Sequence, residues 1–150
     1  MEITLDYEKD FYSWLMGNAQ LLREQRFDEI DADHIAEELE SMGRSEKREL
    51  ISRFAVLLAH LLKWQFQAAK RSRSWKNTIM VQRLDIIDLL EDSPSLRYQI
   101  EVKLDKAYKK AILKAEDETG IDKKHFPLRC PYSFEETLDK IFFPNKTERI

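Results

Sequence analysis

The chain is predicted to be all-α: a single-domain bundle of about five or six helices organised around one long central helix. Three observations predict this. Only three Gly and four Pro interrupt 150 residues, while charged residues make up 35% and apolar residues 43%, a balance that suits long amphipathic helices better than a turn-rich sheet. Apolar residues recur at three-and-four spacing through most of the chain, and no segment alternates apolar and polar as a strand would. Eight Phe, five Tyr and three Trp supply the apolar surface that a folded core needs. The domain is expected to span 1–150, with an ordered core over about 6–143 and a frayed tail over 145–150.

The first helix is expected to start at Asp6, whose carboxylate can cap the next turn, and to end near Gln25. Tyr7, Phe11, Trp14, Leu15 and Leu22 share one face of it and should point inward. Asp31 or Asp33 caps the second start. From there Ile35, Leu39, Met42, Leu50, Phe54, Leu57, Leu61 and Trp64 sustain the helical period over more than thirty residues, as one long helix or two in near line. Gly43 and Ser45 mark its weak point, since Gly costs up to about 1 kcal/mol inside a helix.

Ser72 or Ser74 caps a further helix with Ile79, Leu84, Ile87 and Leu90 on its inner side and an end near Glu91. Ser93-Pro94 then reads as a cap followed by a proline at the first helical position, opening a helix through Leu96, Ile100, Leu104, Ala107, Tyr108, Ala111 and Ala115 to a stop at Gly120. Phe126 to Tyr132 is extended, because Pro127 and Pro131 keep it out of helix. Ser133 to Glu136 forms a capping box for a short last helix through Leu138, Ile141 and Phe142.

A single cysteine, Cys130, excludes an intramolecular disulfide and a cysteine-rich zinc site, and it fits a reducing compartment. The N-terminus has no basic region followed by an apolar run, so no signal peptide is expected. The longest apolar stretch, Phe54 to Leu62, is too short for a membrane span of about 20 residues. These features predict a cytoplasmic protein without a membrane partner. The net charge of −3 conceals an asymmetry. Residues 1–50 carry six basic and fourteen acidic side chains, whereas residues 51–84 carry seven basic and none acidic.

Three constellations could carry function. On a helical wheel Arg53, His60, Lys63, Gln67 and Lys70 fall in one sector with Trp64 at its edge, so His60 lies on a polar stripe where it could act as acid, base or ligand. One unpartnered histidine specifies no reaction, and a structural hydrogen bond or packing on Trp64 is the commoner meaning of such a residue. His34 and Glu38 stand one turn apart, a spacing that could hold a metal with His60, although a solvated acidic face is the commoner meaning of such a run. Lys63 to Lys76 mixes cations with Trp64 and Trp75, as phosphate contacts and base stacking require. Against nucleic acid stands a pI near 5.7. The competing account has Lys70, Arg71 and Arg73 pairing internally with the run around Glu37, Glu38 and Glu40. Cys130 lies between Arg129 and Pro131, a setting that can lower a thiol pKa unless burial dominates. No phosphate-cradling glycine loop, nucleophile elbow or zinc-protease motif is present.

Taken together, Glu37-Glu-Leu-Glu-Ser-Met-Gly43-Arg, His60-Leu-Leu-Lys-Trp64, Arg73-Ser-Trp75, Ser93-Pro-Ser-Leu96 and Phe126-Pro127 to Cys130-Pro-Tyr132 resemble the bacterial family known as domain of unknown function 29. The likeness runs from Tyr7 to Pro144. It implies an all-helical bacterial protein and supplies no catalytic residues. It draws interest to His60, Trp64, Arg73 and Trp75, which stand inside the matching blocks.

The expected function is a non-catalytic binding or regulatory module, without cofactor, working as a monomer or homodimer. Its expected binding residues are Arg53, His60, Lys63, Trp64, Gln67, Arg73, Trp75 and Lys76, offered to a protein partner or acidic ligand. Nucleic-acid binding through Lys63–Lys76 is the second reading, and a small hydrolytic or metal-dependent enzyme using His34, Glu38 and His60 is the third.

Overall fold

The computed structural model describes residues 6–145, so most of the expected frayed tail, 146–150, lies outside the described residues. The regular structure among them is helical: α1 (Phe11–Arg23), α2 (Ala32–Phe66), α3 (Arg73–Asp92), α4 (Ile100–Thr119) and α5 (Phe134–Leu138), with single 3-10 turns at Ala68–Lys70, Pro94–Arg97 and Lys123–His125. The all-α class and the long helix are as expected. The chain gathers into two compact units, Met1–Ser45 and Glu46–Ile150, and α2 runs through the boundary.

In the first unit, α1 and the start of α2 form a hairpin. Asp6 caps a separate turn by accepting from the Glu8 amide, and α1 begins later than expected, with the Asp10 carboxylate accepting from the Ser13 amide at 3.0 Å. Gln25 takes a left-handed φ of 59° just after the helix ends. Asp31 does several jobs at once. Its Oδ1 accepts from the His34 amide at 3.4 Å, and its Oδ2 lies 2.8 Å from Trp14 Nε1 and 2.7 Å from His34 Nδ1. Asn18, buried beside it, accepts from the Asp31 amide at 2.8 Å and donates to the Trp14 carbonyl. The cap of one helix is thus bonded to the core side chains of the other.

The apolar face of this hairpin is covered less than its pattern predicts. Trp14 is 1% exposed, but Phe11, Leu15, Leu22, Leu39 and Met42 are exposed. Two helices can bury only the seam between them, and the apolar arc on each is wider than that seam. Gly43 does not break α2, and every residue from Ser41 to Glu49 is exposed.

In the second unit the rest of α2 is enclosed. Leu50, Phe54, Leu57, Leu58, Leu61 and Leu62 are fully buried along one face of the helix, and buried Ile51, Ala55 and Ala59 widen that face past half the circumference. Ala107, Ala111 and Ala115 of α4 are also fully buried, as their small size in the pattern suggested. Phe126 and Tyr132 pin the extended segment to the core, Phe126 edge-on to Phe66 and Tyr132 donating to Gln65 Oε1 at 2.6 Å.

α3 corrects the sequence reading by a small rotation. Its buried seam is Ile79, Arg83, Ile86 and Leu90, whereas Leu84 is 47% exposed. The seam accepts an arginine because the guanidinium has carbonyls to bond: Arg83 Nε donates to Thr137 at 2.7 Å, and Nη2 donates to Phe142 at 2.7 Å and Glu136 at 3.4 Å. The Thr137 carbonyl is one that a helix leaves free at its C-terminus, whereas the Glu136 carbonyl also accepts from the Asp139 amide at 3.3 Å. α5 accordingly stops at Leu138, short of the expected end, and Ile141 is 88% exposed. Its capping box at Ser133 and Glu136 is present as read.

The Ser93-Pro94 signal opens only a 3-10 turn. The left-handed Gln99, φ 50°, separates that turn from α4, and the buried Lys103 ammonium donates back to the Leu96 and Tyr98 carbonyls. Gly120 closes α4 at φ 75°, as expected.

Two outcomes follow. Gly43 has open space where a Cβ would stand, so Gly43→Ala should stabilise the exposed helix by up to about 1 kcal/mol and raise Tm by a few degrees. A lowered midpoint in thermal unfolding would contradict this. Arg83→Met should cost about 2–4 kcal/mol by stripping donors from buried carbonyls, with hydrogen exchange rising first over residues 136–143. Uniform exchange along the chain would refute the local clamp.

Candidate cation–aromatic surface

The end of α2 and the start of α3 bring the cations and aromatic rings together. Ser72 caps α3 by accepting from the Trp75 amide at 3.1 Å, which sets Arg73, Trp75 and Lys76 in the first turn. Lys63, expected on an open polar stripe, is only 7% exposed. Its ammonium lies 2.7 Å from Glu118 Oε2 and 4.7 Å from the Trp75 ring centroid. That bond holds the Glu118 carboxyl below its ordinary pKa.

Trp64 is half-buried, with Phe143 at 4.9 Å and the Arg71 guanidinium also at 4.9 Å from its ring. Arg71 donates to the Trp64 carbonyl at 2.8 Å and to Pro144 at 3.4 Å. Lys76 reaches towards the Phe143 ring at 5.8 Å. Gln67 donates to the Thr119 carbonyl at 3.4 Å. Arg53 pairs with Glu49 at 3.1 Å and Asp85 at 2.9 Å. Exposed Lys70, Arg73 and Lys76 form no ion pair among the described residues.

The eight expected binding residues therefore divide. Lys63, Trp64, Trp75 and Lys76 take part in a local network of cations and rings, and Arg73 lies exposed in the same helical turn as Trp75 and Lys76. Arg53 and Gln67 are engaged by their own partners. The sequence reading missed Glu118 and Phe143, which no local pattern connects to α2; the basic run did contain Arg71. His60 is half-buried and its Nδ1 donates to the Val56 carbonyl, 2.9 Å away and one turn back. Burial pushes its pKa down, and Lys63 adds to the effect.

The third reading drew on His34 and Glu38, and both have partners within the first unit. The His34 ring stacks on Tyr7 at 4.1 Å, nearly parallel, and Tyr7 donates its hydroxyl to the Glu38 carboxylate. That bond pushes the Tyr7 pKa up to about 12. Asp31 raises the His34 pKa and is itself lowered. Among the described residues of either unit, no three His, Cys, Asp or Glu side chains are grouped to hold a metal. Cys130 is half-buried, and burial, not Arg129, decides its thiol pKa, which is raised.

The two histidines should titrate on opposite sides of the ordinary value of 6.5, His34 above and His60 below. Proton binding by His34 favours the fold, so its contribution is complete below the ordinary pKa and lost as pH rises through the folded value. His60 resists protonation, so its contribution is present above the ordinary pKa and lost as pH falls. NMR titration of the ring protons checks the order, and Asp31→Asn should lower His34 while leaving His60 in place.

The family model described as domain of unknown function DUF29 matches residues 6–143, which takes in nearly the whole chain. Comparison with curated proteins finds no match, nor does comparison with solved structures. No helix among the described residues is long and apolar enough to cross a membrane. By the extent of that match, the chain belongs to the domain of unknown function DUF29 family.

Proposed function

We propose that this chain is a non-catalytic binding or regulatory module of the bacterial cytoplasm, acting as a monomer or homodimer, that takes an acidic protein partner at the start of α3. The observation that carries the reading is the contrast between engaged and free cations. Arg53 and Lys63 are neutralised by Asp85 and Glu118, whereas Arg73 and Lys76 stay exposed beside the half-buried Trp75. Free cations at the rim of an aromatic anchor combine steering with a desolvated contact. The hydrogen bond from His60 to Val56 supports a structural part for that histidine rather than a reaction.

A second reading, binding of single-stranded nucleic acid, draws on the partial exposure of Trp64 and Trp75, since bases stack on such rings. Both Trp64 contacts, Phe143 and Arg71, compete with a base for that ring.

Affinity purification from the native cell separates the readings when wild type is run beside Arg73→Glu/Lys76→Glu, with and without nuclease. Loss of nuclease-resistant protein partners from the variant alone is the expected result. Partners released by nuclease, with binding that weakens steeply as salt rises, would support the second reading. Identical recoveries from both proteins would overturn both.

A further inference from the structure

We infer that the hairpin of α1 and the first part of α2 docks a basic amphipathic helix of a partner protein on one of its two sides. The contacts of the first unit define where its internal seam lies. Trp14, Asn18 and Leu21 are the buried residues of α1, and Asp31, His34 and Glu38 meet Trp14, Asn18 and Tyr7 from the other side. At about 100° per residue, Phe11, Leu15 and Leu22 stand roughly 50–90° to one side of that seam on α1. Ile35, Leu39 and Met42 stand about 50–110° from it in the same rotational sense on α2.

Two right-handed helices that run antiparallel bring equal offsets to the same side of their hairpin. The six side chains therefore form one apolar surface, extended by Ala19 and Ala32, and no charged residue of α1 or of α2 as far as Ser45 falls in that sector. It is open: Phe11 is 44% exposed, Leu15 and Leu22 40%, Leu39 63% and Met42 65%. Asp10, Glu24, Asp33 and Glu37 project from the other sides on the same wheel.

Charge and size choose the occupant. Residues 1–45 hold four basic and twelve acidic side chains, a net of −8. A second copy would bring the same excess to the contact, whereas a basic helix would neutralise it. From Phe11 to Leu22 the surface is about 17 Å long, and two helices about 10 Å apart make it about 20 Å wide, on the order of 350 Å² in plan. That falls short of the roughly 800 Å² per partner of a standard dimer. It matches one helix of about three turns laid between α1 and α2, anchored by apolar residues at positions i, i+4 and i+7.

The test uses the full chain and two 18-residue peptides, one of Leu and Lys at helical spacing and a twin with Glu for every Lys, followed by calorimetry. Wild type should bind the Leu–Lys peptide, and the Arg73→Glu/Lys76→Glu protein, which lacks the cations at α3, should bind that peptide and not the twin. Leu15→Ser/Met42→Ser alters exposed positions, so its helicity should persist by circular dichroism while binding falls at least about tenfold. Tyr98→Ser, an exposed aromatic of the second unit, and Arg73→Glu/Lys76→Glu should both bind as wild type does, which separates this surface from the one at α3. Equal binding by the Leu15→Ser/Met42→Ser protein, or equal binding of the acidic twin to the Arg73→Glu/Lys76→Glu protein, would overturn the inference. So would a dimer in sedimentation that the Leu15→Ser/Met42→Ser protein loses, because a second copy would then cover the surface.

Discussion

A helix that is apolar past half its circumference has to be enclosed, and the second half of α2 imposes that constraint on everything after Glu46. Leu50, Phe54, Leu57, Leu58, Leu61 and Leu62 share one arc of about 140°, and buried Ile51, Ala55 and Ala59 carry it past half the circumference, wider than the seam with one neighbouring helix. α3 and α4 supply part of the cover, and the irregular chain around Phe126 and Tyr132, with Phe134 and Leu138 of α5, supplies more. Irregular chain brings carbonyls into apolar surroundings, and each needs a donor. Arg83 and the Tyr108 hydroxyl, which donates to Pro127 at 2.6 Å, answer that need from within the core. The buried guanidinium is thus a consequence of the enclosure; desolvation lowers its pKa, and the charge of Asp139 opposes that shift.

The first unit obeys the opposite condition. Only Trp14, Asn18 and Leu21 of α1 are buried, and the strongest interactions are polar: Asp31 bonded to Trp14 and His34, and Tyr7 to Glu38. Polar clasps between two helices specify register well but bury little apolar area, and a unit of about 40 residues has few other sources of stability. Its open apolar side is a product of this thin construction. The cationic start of α3 is a surface of the opposite kind, charged and aromatic where the hairpin side is apolar and uncharged. The two units therefore carry chemically distinct surfaces, one apolar and one cationic with aromatic rings.

Legibility in the sequence followed the range of the interaction. Caps were readable where donor and acceptor lie within a few residues: Gly120 and the Ser133 box stand where the spacing put them, and Ser72 and Asp31 are each one of two expected candidates, whereas Asp6 and Ser93 open only short turns before α1 and α4. The site was readable only in part. The run Arg71 to Lys76 announced cations and tryptophan together, but nothing near Lys63 announces Glu118, fifty-five residues away, which turns an expected surface cation into a buried one. Leu84, expected inside, is exposed and Arg83 is buried beside it for the same reason, since the carbonyls that admit Arg83 belong to residues more than fifty positions later.

By itself the sequence determined the helical class, the long α2, the starts of most helices and the family, because each rests on local periodicity, on capping chemistry or on an ordered series of short blocks. Only the tertiary structure decided which apolar stripes are covered, which cations are neutralised and where helices stop short. A wheel tells that Phe11, Leu39 and Leu57 are apolar and aligned; it carries no information on how many neighbours arrive to cover them. Leu57 is enclosed and Leu39 is open because burial is a property of the assembled elements, not of the strip of sequence that forms one of them.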